Sequence, residues 1–347
     1  VYTVDKFNVI GIDLAKTVIQ ACRIDKHGEL TSNKAISPKK LKELLVKAAP
    51  SIVAMEGCGS CHYWARFAKK CGHDVRIISP KKVKGFLQGQ KTDANDALAI
   101  AIAATQLGMT FSPVKEEEQQ ALQTLETSRK FLDKELTALS NHIRAYLYEY
   151  GVTMNRGRKS LRETIVIVLD ERDGRLPSCL IRTLNLLWER YTFTEDQLKE
   201  AEKSKAALVK QLEPCKRLLD LEGVGNVCAS MLYASLGKGK EFKNGRQASV
   251  YVGLTPKQHI SGGKVYMIGI DKNGGNKELR AALFQGALSV ISRLPNEPRT
   301  VKQAWLLELV KRAGVKRACI ALANKTVRTA WALLATGKHY EPALLIR

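Results

Sequence analysis

The sequence predicts an α/β domain with a mixed sheet over residues 1–112, a long helical coiled-coil spacer over 113–215, and a basic, mainly α domain over 216–347. Three observations lead there. Short β-branched runs alternate with amphipathic stretches in the first part. Apolar residues then recur at heptad spacing, and the last part sets helical patterns around glycine-rich turns. A chain of 347 residues has room for roughly two to three cores of ordinary size.

In order, FNVIGIDLA and TVIQACRID read as two strands joined by a tight turn, and ELTSNKAIS as a third after Lys26-His27-Gly28. PKKLKELLVKAA follows as a helix, SIVAMEG as a buried strand, CHYWARFAKKCG as a helix and DVRIISP as a strand. DANDALAIAIAATQLG is a helix with a strongly apolar face. Three antiparallel strands followed by helix-separated ones make the sheet mixed.

In the spacer, Leu122, Leu136, Ile143 and Tyr150 hold one heptad position, interrupted by Arg129. Leu125, Leu132, Leu139 and Tyr146 hold the other, and a rougher series runs Leu184, Tyr191, Leu198, Leu212 with Trp188 beside it. The expectation is two long antiparallel helices joined near Gly151 to Arg158. The last part opens on LLDLEGVGNVCASMLYASLG, where helical patterns flank Gly223-Val224-Gly225. That layout is helix-hairpin-helix-like, with turn amides at Gly223 and Gly225 able to hold a DNA phosphate. A plain interhelical turn explains the glycines equally well.

The composition, 45% hydrophobic and 26% charged, is globular, and no apolar run approaches the ~18 residues of a membrane span. The opening residues lack a signal-peptide layout, and eight scattered cysteines suggest a reduced, cytoplasmic protein. The net charge is +22 and unevenly spread. Residues 1–110 hold 17 Lys/Arg against 9 Asp/Glu, residues 111–215 hold 17 of each, and residues 216–347 hold 22 against 8. Two basic ends around a neutral middle suit a polyanion. With no amphipathic anchor, nucleic acid is the better partner than a membrane.

Four acids occupy significant places. Asp13 ends the first strand and Glu56 the fourth, while Asp93 and Asp96 share a helix face at about 5–6 Å between Cβ atoms. Taken singly, Asp93 and Asp96 read as acids favoured by a helix dipole, and Asp13 and Glu56 as strand-end residues bonded to amides. Taken together they can converge on one point, which is unfavourable unless cations neutralise it. Oxygen donors with water suit Mg²⁺ or Mn²⁺. Two ions roughly 3.5–4 Å apart would clamp both oxygens of an in-line phosphoryl transfer.

This order of acids, Asp13 in IGIDLAK, Glu56 in MEGCGSCHYW, Asp93 and Asp96 in KTDANDA, resembles the Holliday-junction-resolvase (RuvC-like) branch of the ribonuclease-H-like fold. GLTPKQHISGGK, followed by KNGGNKELRAAL, resembles the C-terminal domain of bacterial DEDD serine transposases, which are related to pilin-gene invertases. The resemblance covers nearly the whole chain. It implies that Asp13, Glu56, Asp93 and Asp96 bind metal and that Ser261 becomes covalently linked to DNA. It also implies a recombinase guided by a bridge RNA that pairs with target and donor DNA. The turn KNGGNKELR departs from the family by one extra residue.

A serine hydroxyl is a poor nucleophile until a base or metal activates it. His259 lies two residues from Ser261, so in an extended segment the two stand side by side rather than as base and nucleophile. The metal cluster is therefore the expected activator, brought up when domains or protomers come together. Gly262 and Gly263 let a DNA backbone approach closely. Lys257 and Lys264 would hold its phosphates, with Lys272 and Lys277 at the glycine-rich turn beyond. Ser249, in RQASVYVG, is the rival serine and reads as helix surface.

Cys58-Gly59-Ser60-Cys61-His62 matches a haem-attachment pattern, and Cys58, Cys61, Cys71 and His73 offer zinc ligands. Small residues opening a helix explain the cysteines better. Two other functions stay open: a metal-dependent junction-resolving nuclease that uses water, and a non-enzymatic nucleic-acid-binding protein with structural acids. A homo-oligomer, dimer or tetramer, is expected through the neutral heptads.

Overall fold

The computed structural model describes residues 7–170, 176–271 and 274–343. Lys272 lies outside the described residues. The chain divides into two compact units, Val1–Glu118 with Ser235–Glu241, and Gln119–Ala234 with Phe242–Arg347.

The first unit is built on a five-stranded sheet. Its elements are β1 (Val9–Asp13), β2 (Ile19–Ile24), β3 (Leu30–Ile36), α1 (Pro38–Lys47), β4 (Ile52–Glu56), α2 (Cys61–Lys70) and β5 (Asp74–Ile78). A short helix α3 (Pro80–Val83) and a 3₁₀ turn (Lys84–Phe86) lead to α4 (Asp93–Ala104). The strand order is β3-β2-β1-β4-β5, with β1, β2 and β3 antiparallel and β1, β4 and β5 parallel. The mixed sheet expected from the sequence is present.

Strands β1 and β4 are buried on both faces, as their continuous apolar runs require. One face packs Ile10, Ile12, Val53 and Met55 against Leu41 and Leu45 of α1 and Trp64, Ala65 and Ala68 of α2. The other packs Val9, Ile52 and Ala54 against Ala97, Ile100, Ala101 and Ala104 of α4. Strand β3 is an edge and correspondingly exposed. Helix α4 lies unusually close over β1. A Cβ on Gly11 would stand 2.7 Å from Ala101 Cβ, so only glycine permits this contact.

The second unit is mainly helical. From Glu117, α5 runs to Glu149, followed by α6 (Arg158–Asp170), α7 (Ser178–Gln211), α8 (Glu213–Leu219) and α9 (Asn226–Leu236). After them come α10 (Gly245–Val252), a two-stranded sheet of β6 (Pro256–Ser261) and β7 (Lys264–Ile270), and α11 (Lys277–Ile291). Helices α12 (Val301–Ala313) and α13 (Val315–Thr336) close it. No helix among the described residues is long and apolar enough to cross a membrane.

The expected long helices are α5 and α7, antiparallel because Lys205 pairs with Glu126 and Arg190 with Glu135, but the stretch from Gly151 to Arg158 expected to join them leads instead into α6. The seam is not a two-helix one, however. Leu161, Ile165 and Val168 of α6 enter the same core as Leu136, Ile143 and Leu147 of α5 and Leu180, Leu184, Tyr191 and Leu198 of α7. Tyr146 and Tyr150, expected in the seam, are exposed. Lys205 and Glu126 are both buried, 2.7 Å apart, and Arg129 adds a second clamp on the carboxylate at 2.9 Å. Burial would raise the pKa of Glu126, but hydrogen bonds from Arg129 and Lys205 outweigh it and hold the carboxyl below its ordinary range.

The Gly223 turn joins α8 to α9. Gly223 has φ +76°, and a Cβ there would lie 2.7 Å from the carbonyl oxygen of Gly286 in α11. Its first task is thus close packing, while Gly225 is exposed.

Candidate active site

The four acids come from three elements that the fold brings to one sheet end. Strands β1 and β4 are parallel neighbours in register, with Ile12 beside Met55. Asp13 and Glu56 are each the next and last residue, so they emerge side by side on the same face. That face is the one α4 covers. Thr92 caps α4, its Oγ1 accepting from Asn95 N at 3.2 Å, and this starts the helix at Asp93 with Asp96 one turn on. Carboxylate oxygens of Asp13, Asp93 and Asp96 all lie within 4.8 Å of one another.

Two residues absent from the sequence reading fix this arrangement. Gln20, opposite Asp13 on β2, donates from Nε2 to Asn33 Oδ1 at 2.7 Å. Asn33 on β3 then donates from Nδ2 to the Ala94 carbonyl at 2.8 Å. The first turn of α4 is thereby tied to the sheet edge.

The electrostatics follow from crowding. Partial burial, then Asp96 and Asp93, raise the pKa of Asp13 against the opposing pull of Lys91. Burial, then Asp13 and Asp96, raise that of Glu56, again opposed by Lys91. Both stand above their ordinary values of 3.8 and 4.5. The repulsion is absent at acid pH, grows as the pH rises past those values, and is complete above the raised ones.

Oxygen-only donors under mutual repulsion fit a hard divalent cation rather than a soft one. Addition of Mg²⁺ or Mn²⁺ at neutral pH is expected to stabilise the protein by about 2–3 kcal/mol near a hundredfold excess over the dissociation constant. Thermal denaturation with Asp13→Asn in parallel checks this; an equal shift in both proteins would place the ion elsewhere.

The cysteine pattern forms no cluster of metal-ligating atoms among the described residues. His73 is buried, with Nδ1 accepting from Ser51 N and Nε2 2.7 Å from the Leu45 carbonyl, so both ring nitrogens are engaged. His62 Nδ1 accepts from Lys115 N, and burial, with Lys115 and Arg66 nearby, lowers its pKa to about 4. Partial burial and the neighbouring Cys61, Glu56 and Asp13 push the Cys58 thiol up to about 11. It is thus protonated at neutral pH.

Ser261 sits at the tip of the β6–β7 hairpin. It pairs with Lys264 across Gly262 and Gly263, whose φ values of +57° and +76° make a two-residue turn open to glycine and little else. Ser261 and all of β6 are exposed. His259 pairs with Tyr266 and lies on the same strand face as Ser261, side by side as expected. Lys264 and Lys277 are exposed, whereas Lys257 Nζ is 3.2 Å from Asp271 Oδ2. Ser249 corrects the sequence reading. Rather than helix surface, it is fully buried in α10 beside Ala248 and Val252, and its hydroxyl has no hydrogen-bond partner among the described residues.

Comparison with known proteins adds to this geometry. Residues 10–152 match a family model of DEDD-type IS110 transposases, and residues 215–303 match one described as Transposase IS116/IS110/IS902 family. The transposase for insertion sequence element IS1111A of Coxiella burnetii is 37% identical over 96% of this chain and 91% of its own length. The transposase for insertion sequence element IS1328 of Yersinia enterocolitica is 34% identical over 95% of this chain and 97% of its own. A pilin gene-inverting protein of Moraxella bovis is 22% identical over 96% and 97%.

Proposed function

Because this chain belongs to the IS116/IS110/IS902 family of insertion-sequence transposases, we propose that it moves its element by cutting and rejoining DNA through a serine–DNA intermediate. The observation that supports this most is the convergence of Asp13, Asp93 and Asp96 within 4.8 Å, with Glu56 beside Asp13. The strand order β3-β2-β1-β4-β5, antiparallel then parallel, supports reading the first unit as ribonuclease-H-like of the RuvC branch. Residues 113–215 would serve as the coiled-coil spacer and 216–347 as the domain presenting the serine, although residues 113–118 and 235–241 belong to the first compact unit.

In this reading Asp13, Glu56, Asp93 and Asp96 hold Mg²⁺ or Mn²⁺. Ions held there would supply charge neutralisation at the reacting phosphate and would lower the proton affinity of an attacking hydroxyl. Ser261 forms the new O–P bond as the DNA oxygen leaves with a proton, and the serine proton passes to solvent or a base. One phosphodiester is exchanged for another, so resealing needs no added energy. Lys264 and Lys277 are exposed for phosphate contact, with the amide of Gly225; Lys272, in the turn that departs from the family, lies outside the described residues. Lys257, held by Asp271, and Gly223, packed on Gly286, would have to be shared between these contacts and the nucleic acid. A bridge RNA as guide and a dimer or tetramer as the working form belong to the same reading.

The test is recombination on plasmids carrying the element's ends, supplied with the protein and the element's own RNA. Resealed junctions are the expected product. Free ends alone would replace the serine mechanism with a nuclease that activates water.

A further inference from the structure

A groove of about 720 Å³ runs along one face of α13, away from Ser261 in sequence. Arg328 and Lys325 line it from α13, Arg246 from the first turn of α10, and Trp305 and Trp331 from its walls. All three cations are exposed, and none makes an ion pair among the described residues. Among the described residues, no acidic one lines the groove. Lys325 Nζ stands 4.7 Å over the Trp305 ring. The walls hold their spacing because Gly245 packs on the Arg328 backbone, where a Cβ would come within 3.0 Å.

Three cations with no acidic partner among the described residues, one of them resting over Trp305, beside half-buried indoles make a poor site for a neutral ligand and a good one for a polyanion with flat faces. A duplex presents phosphates but keeps its bases stacked inside, so it could use the cations and not the indoles. An unpaired nucleotide can use both. We propose that this groove binds a single-stranded segment of nucleic acid, seating an unstacked base against the tryptophan wall and its phosphates on Arg246, Lys325 and Arg328. The proposal rests on the reading of the chain as a nucleic-acid recombinase, and deepens it by naming an unpaired strand as a recognised form.

The test uses short unstructured DNA and RNA oligonucleotides and a duplex of equal length, with chelator present so that the acid cluster takes no part. Trp305 and Trp331 are two of four tryptophans, so binding here quenches intrinsic fluorescence. In Arg246→Glu/Arg328→Glu, single-strand affinity is expected to fall about tenfold or more with loss of quenching, and duplex affinity about threefold or less. Arg246→Gln/Lys325→Gln gives a milder pair should charge reversal disturb folding, which circular dichroism reports. A preference for DNA or RNA would identify the strand's source and support the proposal. Equal losses for single strand and duplex, or no loss, would overturn it. Wild-type protein that binds neither form would overturn this proposal together with the recombinase reading.

Discussion

Asp13→Asn is expected to reduce strand cleavage by about a thousandfold or more while leaving nucleic-acid binding largely intact. Asp13 is the acid that Asp93 and Asp96 of α4 both approach, so its charge is shared by the whole cluster. Ion-assisted phosphoryl transfer gains several kcal/mol of charge stabilisation, and each ~1.4 kcal/mol is tenfold in rate. The same substitution should stabilise the ion-free protein at neutral pH, because it removes a half-buried charge that also repels Asp96, Asp93 and Glu56. Lower activity with higher ion-free stability is the paired signature. Single-turnover cleavage and denaturant titration measure the two halves. A variant that cleaves normally would remove the acids from the chemistry.

Ser261→Ala is expected to abolish both the covalent protein–DNA adduct and recombination. The side chain is exposed at a hairpin tip, so folding stability should change by no more than about 0.5 kcal/mol, and ion and nucleic-acid binding should persist. Adduct is measured by denaturing electrophoresis with end-labelled DNA, one label at each end, which also identifies the linked side. Ser261→Cys should retain traces of adduct, since thiolate is the stronger nucleophile. Full recombination by Ser261→Ala would reduce the serine to a turn residue and favour water as the nucleophile.

The sheet and its acids were legible because β1 and β4 are apolar runs with an acid at the end, and α4 opens with a cap before D-x-x-D. The ties made by Gln20 and Asn33 were not, because they depend on the bulged register of β3 on β2 and on where α4 crosses the sheet, which no local pattern specifies. Helix α6 escaped notice because Thr164-Ile165-Val166-Ile167-Val168 is β-branched and reads as strand. Its spacing of Leu161, Ile165 and Val168 is nevertheless helical, and packing decided the outcome. The heptads failed at Tyr150 for a geometric reason. Helix α5 ends at Glu149, so Tyr150 stands in the turn beyond it, and Leu147, one turn after Ile143, closes the seam instead. Ser249 is likewise one of a buried i, i+3, i+4, i+7 set with Gly245, Ala248 and Val252, a period visible in the sequence once the start of α10 is known.

The buried Lys205–Glu126 pair has a consequence for how the long helices can age. Leucines along a seam are interchangeable, and sliding α7 by one heptad, about 10 Å, would still bring leucine to leucine. It would also strand Lys205 in apolar surroundings and leave Glu126 to Arg129 of its own helix, at a cost of about 3–5 kcal/mol. The pair therefore acts as a key with one lock position: the greasy residues around it are free to drift over generations, while these two must change together or not at all.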